Sequence, residues 1–437
     1  TAIFLSRFAS AKVAAFLKPG VELLAGIPSV VYGFFGLMII VPFIRLNAPG
    51  NGLSLLAASI LLGIMILPTV ITVAKNALDA VPQSYYEGAL ALGATHERSV
   101  LRVLVPAAIS GIMAGVVLGI GRAIGETMAV VMVAGNQPII PASIFDGVRT
   151  MTANIVLEMG YAADLHRGAL IATGVVLFVF ILLISTLFNA MKKSGLARKT
   201  GPSPSSRAHA SSQIARGVIY AGALFTTLVL LGIVGFILVN GVPHLTPTLF
   251  EWSYTSENVS LMPALISTLY MALLALLIAV PIGVSSAIYL VEYAKPGSRF
   301  VRAVRVTTET LQGIPSIIYG LFGMLFFTTV LDWGLSLLSG ACTLAIMVLP
   351  VVMRTAEEAL IAVPASYRAG GFALGAGYLR TIFRCVLPSA LPGIVGGVLL
   401  ALGRCVGEVA ALLFTAGTIA QIPDFGGQGI FALFDSC

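Results

Sequence analysis

Apolar runs dominate the chain, and each is close to the roughly 20 residues that an α-helix needs to cross a bilayer. Hydrophobic residues make up 58% of the sequence and charged residues 10%. This composition excludes an ordinary soluble globular protein. The sequence therefore predicts an all-α, polytopic membrane protein with spans at Glu22–Ile44, Leu53–Val73, Ile109–Val133, Gly168–Met191, Gly217–Val239, Met262–Val291, Glu309–Leu331, Leu335–Met353 and around Arg404.

Two of these runs contain an arginine and a glutamate in the pattern G-R-x-x-G-E. Arg122 and Glu126 lie in the run Ile109–Val133, and Arg404 and Glu408 follow 282 residues later. A spacing of four predicts that each pair lies on one helical face, about 6 Å apart along the axis. Ionisable groups at membrane depth are costly unless they face a cavity or a partner, so these four are candidates for binding a solute. The alternative is an ion pair that only ties helices together.

An internal repeat organises the chain. The segment Glu22–Gly33 matches Glu309–Gly320, including Gly-Ile-Pro-Ser, and Ala80–Tyr85 matches Ala362–Tyr367. An even number of predicted crossings separates the two G-R-x-x-G-E motifs, so both copies share one orientation. That geometry predicts a parallel repeat about a pseudo-two-fold axis normal to the membrane. The predicted organisation is a first copy at 1–191, a basic Ser/Pro-rich linker at 192–216 and a second copy at 217–437.

Basic residues concentrate on the side of the membrane that holds the linker, which is therefore predicted to be cytoplasmic. The net charge of +7 is scattered at the ends of apolar runs and does not indicate a nucleic-acid partner. The four cysteines and four histidines are too dispersed to predict a disulfide framework or a metal site. No cofactor is expected.

The repeat also generates an expectation about both ends of the chain. Residue 1 is Thr, and Ala2–Leu5 resemble the tail of a membrane helix. Ile144–Thr150 matches Leu433–Cys437, where the sequence stops. We therefore expect a natural protein that is longer at both ends, with one more membrane helix after Cys437.

A polar stretch precedes each arginine-bearing run. It follows the pattern E-A-A-x3-G-x9-I-x-L-P, with Glu87-Gly88-Ala89 and Gly93 in the first copy. This stretch resembles the cytoplasmic coupling segment of ABC-type import permeases, in which a short helix, a glycine turn and a second helix dock onto the ATPase. The second copy departs from the pattern, since Ala369-Gly370-Gly371 replaces E-A-A. The candidate coupling residues are Tyr85, Glu87, Gly88, Ala89, Gly93, Tyr367, Gly370, Gly371 and Gly375. The alternative is an amphipathic helix lying on the membrane.

With the doubled G-I-P-S and G-R-x-x-G-E motifs, the chain resembles the phosphate-specific ABC permease, its two usual subunits joined in one chain. The resemblance implies a multi-pass protein of the bacterial inner membrane that contacts membrane lipid. It also implies two protein partners, a cytoplasmic ABC ATPase dimer and a periplasmic phosphate-binding protein. The sequence has no G-x-x-x-x-G-K-[ST] motif, so ATP hydrolysis is expected from the partner and the chain itself is not expected to be an enzyme.

The resemblance also implies that inorganic phosphate binds at the doubled motifs. We expect Arg122 and Arg404 to face each other across the axis, because two guanidinium groups can grip a tetrahedral oxyanion. Glu126 and Glu408 would neutralise them in the empty state and accept the proton of hydrogenphosphate. Ser29 and Ser316 are further candidates, at kinks produced by Pro28 and Pro315. For the serines, the alternative is a kink with local capping.

Two other functions stay open at this point. The same fold could import another tetrahedral oxyanion, sulfate or molybdate. An ion-coupled secondary transporter belongs to a different class and has no need of the doubled coupling motif.

Overall fold

A computed structural model of the chain describes residues 1–194, 208–255, 257–295, 297–419, 422–423 and 433–434. The described part is helical almost throughout and contains no β-strand, which confirms the predicted all-α class. Its α-helices are α1 (Ala11–Gly26), α2 (Ser29–Phe35), α3 (Val41–Asn47), α4 (Leu55–Asp79), α5 (Gln83–Ala91), α6 (His96–Ser99), α7 (Val105–Gly125), α8 (Met128–Val133), α9 (Met151–Glu158), α10 (Asp164–Ser194), α11 (Ala208–Gly241), α12 (Met262–Ile288), α13 (Arg299–Gln312), α14 (Ser316–Gly323), α15 (Leu337–Ala362), α16 (Ala365–Ala373), α17 (Tyr378–Thr381) and α18 (Leu387–Val406).

Within the described residues, eight helical stretches are long and apolar enough to cross a membrane. A ninth arises if α13 and the stretch Ser316–Val330 count as one broken span, bent by 101°. Each predicted apolar run therefore has a helical counterpart. The eight stretches are Ser29–Asn47, Leu55–Asp79, His96–Gly125, Asp164–Ile184, Gln213–His244, Met262–Tyr293, Leu337–Ala362 and Tyr378–Val406.

Two of the predicted spans are divided by a proline. Helix α1 ends at Gly26, and α2 begins at Ser29 directly after Pro28. Likewise α13 ends at Gln312 and α14 begins at Ser316 after Pro315. The expected kink is thus a full break, because the residue before a proline is pushed out of the helical region and Ile27 is extended (ψ 127°).

The chain divides into two compact units that exchange segments. Unit 1 comprises Thr1–Asn154 with Val175–His244, and unit 2 comprises Ile155–Gly174 with Leu245–Cys437. Helix α10 therefore begins in unit 2 and continues in unit 1. Helices α10 and α11 extend into both ends of the predicted linker, and the part of the linker at 195–207 lies outside the described residues. The predicted boundaries of the two copies thus differ from the boundaries of the two compact units.

Each unit is packed by small residues between long helices. In unit 1, a Cβ at Gly111 would meet the Cβ of Ala77 at 2.4 Å, so α7 lies directly against α4. In unit 2, a Cβ at Gly393 would meet the Cβ of Ala359 at 2.7 Å, which places α18 equally close to α15. Such close helix approach is how membrane helices gain packing energy when lipid removes the hydrophobic driving force. The repeat thus produces the same helix pair twice.

Short π-helical segments recur at equivalent places in the two copies. Val100–Leu104 precedes α7 as Ile382–Val386 precedes α18. Phe4–Phe8 likewise corresponds to Tyr289–Tyr293, which directly continues α12. Both of the latter segments end at an extended alanine whose N–H donates to the first carbonyl of the segment, at 2.8 and 2.9 Å. Arg7 and Glu292 therefore occupy equivalent positions in the two copies, which the comparison of the two sequences did not reveal.

Candidate functional site

The two candidate arginines lie at the ends of equivalent membrane helices. Helix α7 ends at Gly125 with Arg122 in its last turn, and α18 ends at Val406 with Arg404 in its last turn. A cation is favoured at this end, where the helix dipole is negative and the last carbonyls have no helical donor. Both arginine residues are half-buried.

The expectation that each glutamate shares a helical face with its arginine is wrong. Glu126 follows the end of α7 with extended backbone (φ −68°, ψ 136°), and Glu408 lies two residues beyond the end of α18. Each carboxylate accepts the backbone N–H three residues on, from Ala129 and from Ala411, both at 3.3 Å. The glutamates therefore cap the following turn, because the chain leaves the helix at the glycine before each of them.

The two arginines have different surroundings. Nη1 of Arg122 donates to Oγ1 of Thr69 at 3.2 Å. The position equivalent to Thr69, 282 residues later, is Val351 and offers no hydroxyl. Within the described part of the chain, the guanidinium of Arg404 forms no hydrogen bond or ion pair. Arg404 is thus the more available cation of the two.

Ser29 and Ser316 are the first residues of α2 and α14, and both are half-buried. Neither hydroxyl forms a hydrogen bond within the described residues, so the local-capping alternative finds no support. Sequence reasoning missed a residue beside each: Tyr32 donates its hydroxyl to the carbonyl of Leu24 across the proline break, at 2.8 Å. Tyr319 does the same to Leu311 at 2.8 Å. The signal was available, since a tyrosine stands three residues after the serine in both copies.

Glycines bring the two doubled motifs together inside each unit. A Cβ at Gly33, on α2, would meet Cα of Ala129 at 3.1 Å, and Ala129 is the residue that Glu126 caps. A Cβ at Gly320 would meet Cα of Ala411, capped by Glu408, at 2.9 Å. The backbones therefore touch, and the G-I-P-S helix packs on the turn that follows G-R-x-x-G-E in each copy.

The predicted coupling segments have the expected shape in both copies. Helix α5, a turn at Gly93 and helix α6 form the first segment, and α16, Gly375 and α17 form the second. Gly93 has φ +81° and Gly375 has φ +76°, in the left-handed region that favours glycine. The helix–glycine–helix geometry is therefore a property of both copies, despite the degraded E-A-A of the second.

The outer surface of each coupling segment is apolar at its turn. Leu92 and Leu374, directly before the two glycines, are 90% and 89% exposed. Tyr85 and Tyr367 are 53% and 51% exposed. Glu87 is exposed as well. Large apolar side chains are thus exposed at matched positions of the two segments.

The departure from E-A-A in the second copy is balanced by a nearby residue. Gly371 replaces Ala89, and a Cβ there would meet Cγ2 of Thr381 at 2.8 Å. Thr381 is 1% exposed, and its counterpart in the first copy is Ser99. The first copy carries this methyl group on Ala89 of α5, and the second copy carries it on Thr381 of α17. The two copies therefore fill the space between these helices with the same number of side-chain atoms.

We therefore expect Gly371→Ala to lower the stability of the purified chain by about 1–2 kcal/mol through overpacking. Adding Thr381→Ser should recover most of this loss, because the pair then matches Ala89 and Ser99. Thermal unfolding in detergent measures both. The control is Gly370→Ala, where a Cβ meets nothing within 4 Å. A double variant that is no more stable than Gly371→Ala would contradict the conclusion that the methyl group of Thr381 takes the place of the missing one at position 371.

Comparison with known protein families identifies the family to which the chain belongs. Residues 1–194 and 279–432 match the family described as the binding-protein-dependent transport system inner membrane component. The chain belongs to this family. It is a multi-pass inner membrane component of a transport system and not an enzyme.

Several curated relatives of this inner membrane component are similar over one copy or both. The probable ABC transporter permease protein YqgH of Bacillus subtilis is 46% identical over 198 residues, covering 44% of this chain and 64% of the relative. The phosphate transport system permease protein PstC of Mesorhizobium japonicum is 37% identical over 211 residues, covering 44% and 64%. The phosphate transport system permease protein PstA homolog of Mycoplasma pneumoniae is 28% identical over 490 residues, covering 95% of this chain and 74% of the relative. The chain thus spans about two thirds to three quarters of the length of these relatives.

Proposed function

We propose that this inner membrane component is the permease of an ATP-driven importer that carries inorganic phosphate across the bacterial cytoplasmic membrane. The observation that carries the proposal is the guanidinium of Arg404, which sits at the end of a membrane helix with no hydrogen-bond or ion-pair partner in the described part of the chain. A fixed cation at that depth is costly unless a solute of opposite charge reaches it. The names of the PstC and PstA relatives, both phosphate transport system permease proteins, support phosphate as that solute.

Each copy contributes one arginine to the path of the anion. A guanidinium offers five N–H donors in a planar fork, which suits the oxygens of a phosphate, and it stays charged at every relevant pH. Arg122, already bonded to Thr69, is held in one orientation, whereas Arg404 is free to approach the anion. Ser29 and Ser316 add hydroxyl donors, since neither is occupied within the described residues.

The glutamates discriminate between anions. Hydrogenphosphate carries a proton that a carboxylate can accept as a hydrogen bond, whereas sulfate has none and is repelled. Glu126 and Glu408 each use Oε1 to cap the next turn. A carboxylate has about four lone-pair sites, and the capping bond occupies one of them.

The energy source is a cytoplasmic ABC ATPase dimer that docks on the two coupling segments. The exposed Leu92 and Leu374, together with Tyr85 and Tyr367, are the surface it covers. Gly93 and Gly375 permit the turns, and Gly88 and Gly370, on the helices before these turns, let the partner approach closely, since a Cβ at either meets nothing within 4 Å. A periplasmic phosphate-binding protein supplies the anion from the other side, since the family description names a binding protein and the relatives' names give phosphate.

Reconstitution tests the proposal. The full-length protein, its ATPase and its binding protein are placed in liposomes, and uptake of labelled phosphate is followed with sulfate or molybdate as competitor. We expect ATP-dependent phosphate uptake that a tenfold excess of sulfate does not reduce. Equal competition by sulfate would favour the other oxyanions, and uptake that persists without the ATPase would favour a secondary transporter.

Selectivity should depend on the two glutamates. In the double variant Glu126→Gln and Glu408→Gln, we expect the preference for phosphate over sulfate to fall about tenfold, because about 1.4 kcal/mol of discrimination is lost. The amide oxygen of glutamine can still accept the capping N–H, so the turns should remain intact. Competitive uptake measures the preference, with the exposed Glu22→Gln as control. An unchanged preference would remove the glutamates from discrimination.

A further inference from the structure

The second coupling segment is fastened to a membrane helix by an ion pair that the function described above does not use. Arg368, on α16, meets the carboxylate of Glu292: its Nη2 lies 2.6 Å and its Nε 3.0 Å from Oε1, and Nε also lies 3.3 Å from Oε2. The side chain of Glu292 is only 4% exposed and that of Arg368 23%. This is a forked, largely desolvated pair, the kind in which both distance and orientation are fixed.

The same two residues hold the surrounding elements. Arg368 also donates to the carbonyls of Leu360 and Val363, at the end of α15, at 3.1 and 2.9 Å. The hydroxyl of Tyr378, on α17, donates to the backbone carbonyl of Glu292. Both helices of the coupling segment are therefore attached to one residue. We refer to Glu292, Arg368 and Tyr378 as the clamp.

Glu292 lies on the π-helical continuation of α12, a membrane helix. Ala272, Ala275 and Ala279 of α12 are buried in the same core cluster as Ala401 and Cys405 of α18. Cys405 is the neighbour of Arg404 in the chain. A displacement of the coupling segment thus has a continuous packed route, through the clamp and α12, to the helix that carries Arg404.

The first copy carries a different residue at each of the three clamp positions. Arg7 occupies the place of Glu292, and it donates to the carbonyl of Leu78, the counterpart of Leu360, at 3.2 Å. Tyr86 and His96 stand in place of Arg368 and Tyr378, and they bond to each other at 2.7 Å.

An ion pair reaches the first coupling segment from another helix. Arg216 of α11 lies 3.9 Å from Glu97, with the arginine 58% exposed, which is a weak surface contact. The first segment also retains Glu87, exposed and without an ion pair in the described part of the chain, where the second has Ala369.

We propose that the clamp transmits the movement of the second coupling segment to the membrane helices. Arg368 and Glu292 are positioning residues. This inference rests on the proposed ATP-driven function, but it does not depend on which oxyanion is carried.

The test measures anion transported per ATP hydrolysed by the complete transporter in liposomes, with phosphate, sulfate and molybdate each tried as substrate. For Glu292→Gln we expect this ratio to fall about tenfold, because the neutral amide cannot hold the guanidinium fork. Basal ATP hydrolysis and co-purification with the ATPase should stay at the wild-type level. The matched control is Glu358→Gln, which removes an exposed partner of Arg354 at 3.0 Å in the same copy.

Two further variants separate positioning from loss of folding. Arg368→Lys keeps the charge but not the fork, and it should lower the ratio about threefold. The triple variant Glu292→Arg, Arg368→Tyr and Tyr378→His carries the residues of the first copy, in which Arg7 reaches the end of the preceding helix and Tyr86 bonds to His96, and it should restore at least half of the wild-type ratio.

The outcomes separate the two proposals. Failure of the proposed substrate shows as wild-type uptake of a different anion. The proposal for the clamp is overturned by an unchanged ratio in Glu292→Gln, by an equal fall in Glu358→Gln, or by a folded triple variant that recovers nothing.

Discussion

Replacing Arg404 with alanine should lower phosphate uptake at least a hundredfold. A hydrogen bond to a charged group contributes about 1.5–3 kcal/mol, and losing about 3 kcal/mol corresponds to a factor of about a hundred in binding. Arg404 lies in the last turn of α18, and its guanidinium has no hydrogen-bond or ion-pair partner among the described residues, so its removal leaves no protein group unsatisfied. We therefore expect the variant to assemble with the ATPase as the wild type does. Uptake of labelled phosphate and co-purification measure the two effects.

The matched control for Arg404→Ala is Arg384→Ala, which removes the same charge from an exposed position on the same copy. It should keep at least half of the uptake. Arg404→Lys retains the charge but loses the planar fork, so an intermediate loss is expected. Uptake at the wild-type level in Arg404→Ala would remove this residue from the anion path.

Replacing Gly320 with alanine should destabilise unit 2 by about 1–3 kcal/mol, the usual cost of forcing a methyl group into packed protein. The added Cβ would meet Cα of Ala411 at 2.9 Å and the carbonyl oxygens of Ala411 and Ala410 at 3.1 and 3.2 Å. These are backbone atoms, so the contact cannot be relieved by a rotamer change. The α14 helix would have to move away from the turn capped by Glu408. We expect the midpoint of thermal unfolding to fall by about 5 °C and uptake to fall more than tenfold.

The repeat provides an internal comparison for this substitution. At Gly33 the nearest atom is Sδ of Met132, at 2.6 Å, and a methionine side chain can rearrange. Gly33→Ala should therefore cost less than Gly320→Ala. Gly396→Ala, in α18 with nothing within 4 Å of the new Cβ, should be neutral or slightly stabilising. Equal stability of the Gly320 and Gly396 variants would contradict the close backbone approach.

The helix–glycine–helix shape of the two predicted coupling segments was predictable because its signals are local. A glycine at position 93 and again at 375, after a short helix-forming stretch, predicts a turn with positive φ, and both have it. The membrane spans were predictable for a similar reason, since a hydrogen-bonded helix satisfies its backbone in lipid whatever its neighbours are. The family resemblance followed from the coupling pattern together with the doubled G-I-P-S and G-R-x-x-G-E motifs, and the match over residues 1–194 and 279–432 and the PstA and PstC relatives confirm it.

The position of Glu126 was not predictable in the same way. An i, i+4 spacing inside an apolar run favours one continuous helix, and only the break after Gly125 separates Glu126 from the face of Arg122. What decides the break is tertiary: the turn after Glu126 packs against α2 through Gly33, a residue more than ninety positions away in the chain. The same holds for Glu408 and Gly320.

By itself the sequence determined that the chain is a duplicated all-α membrane protein with two helix–glycine–helix segments and two arginines within its apolar runs, because these depend on composition, period and local turn chemistry. Only the tertiary structure decided where the helices break, which arginine has a hydroxyl partner, and how Glu292 holds Arg368. Each of these depends on which distant backbone or side chain comes within about 3 Å, and spacing along the chain carries no information about that distance.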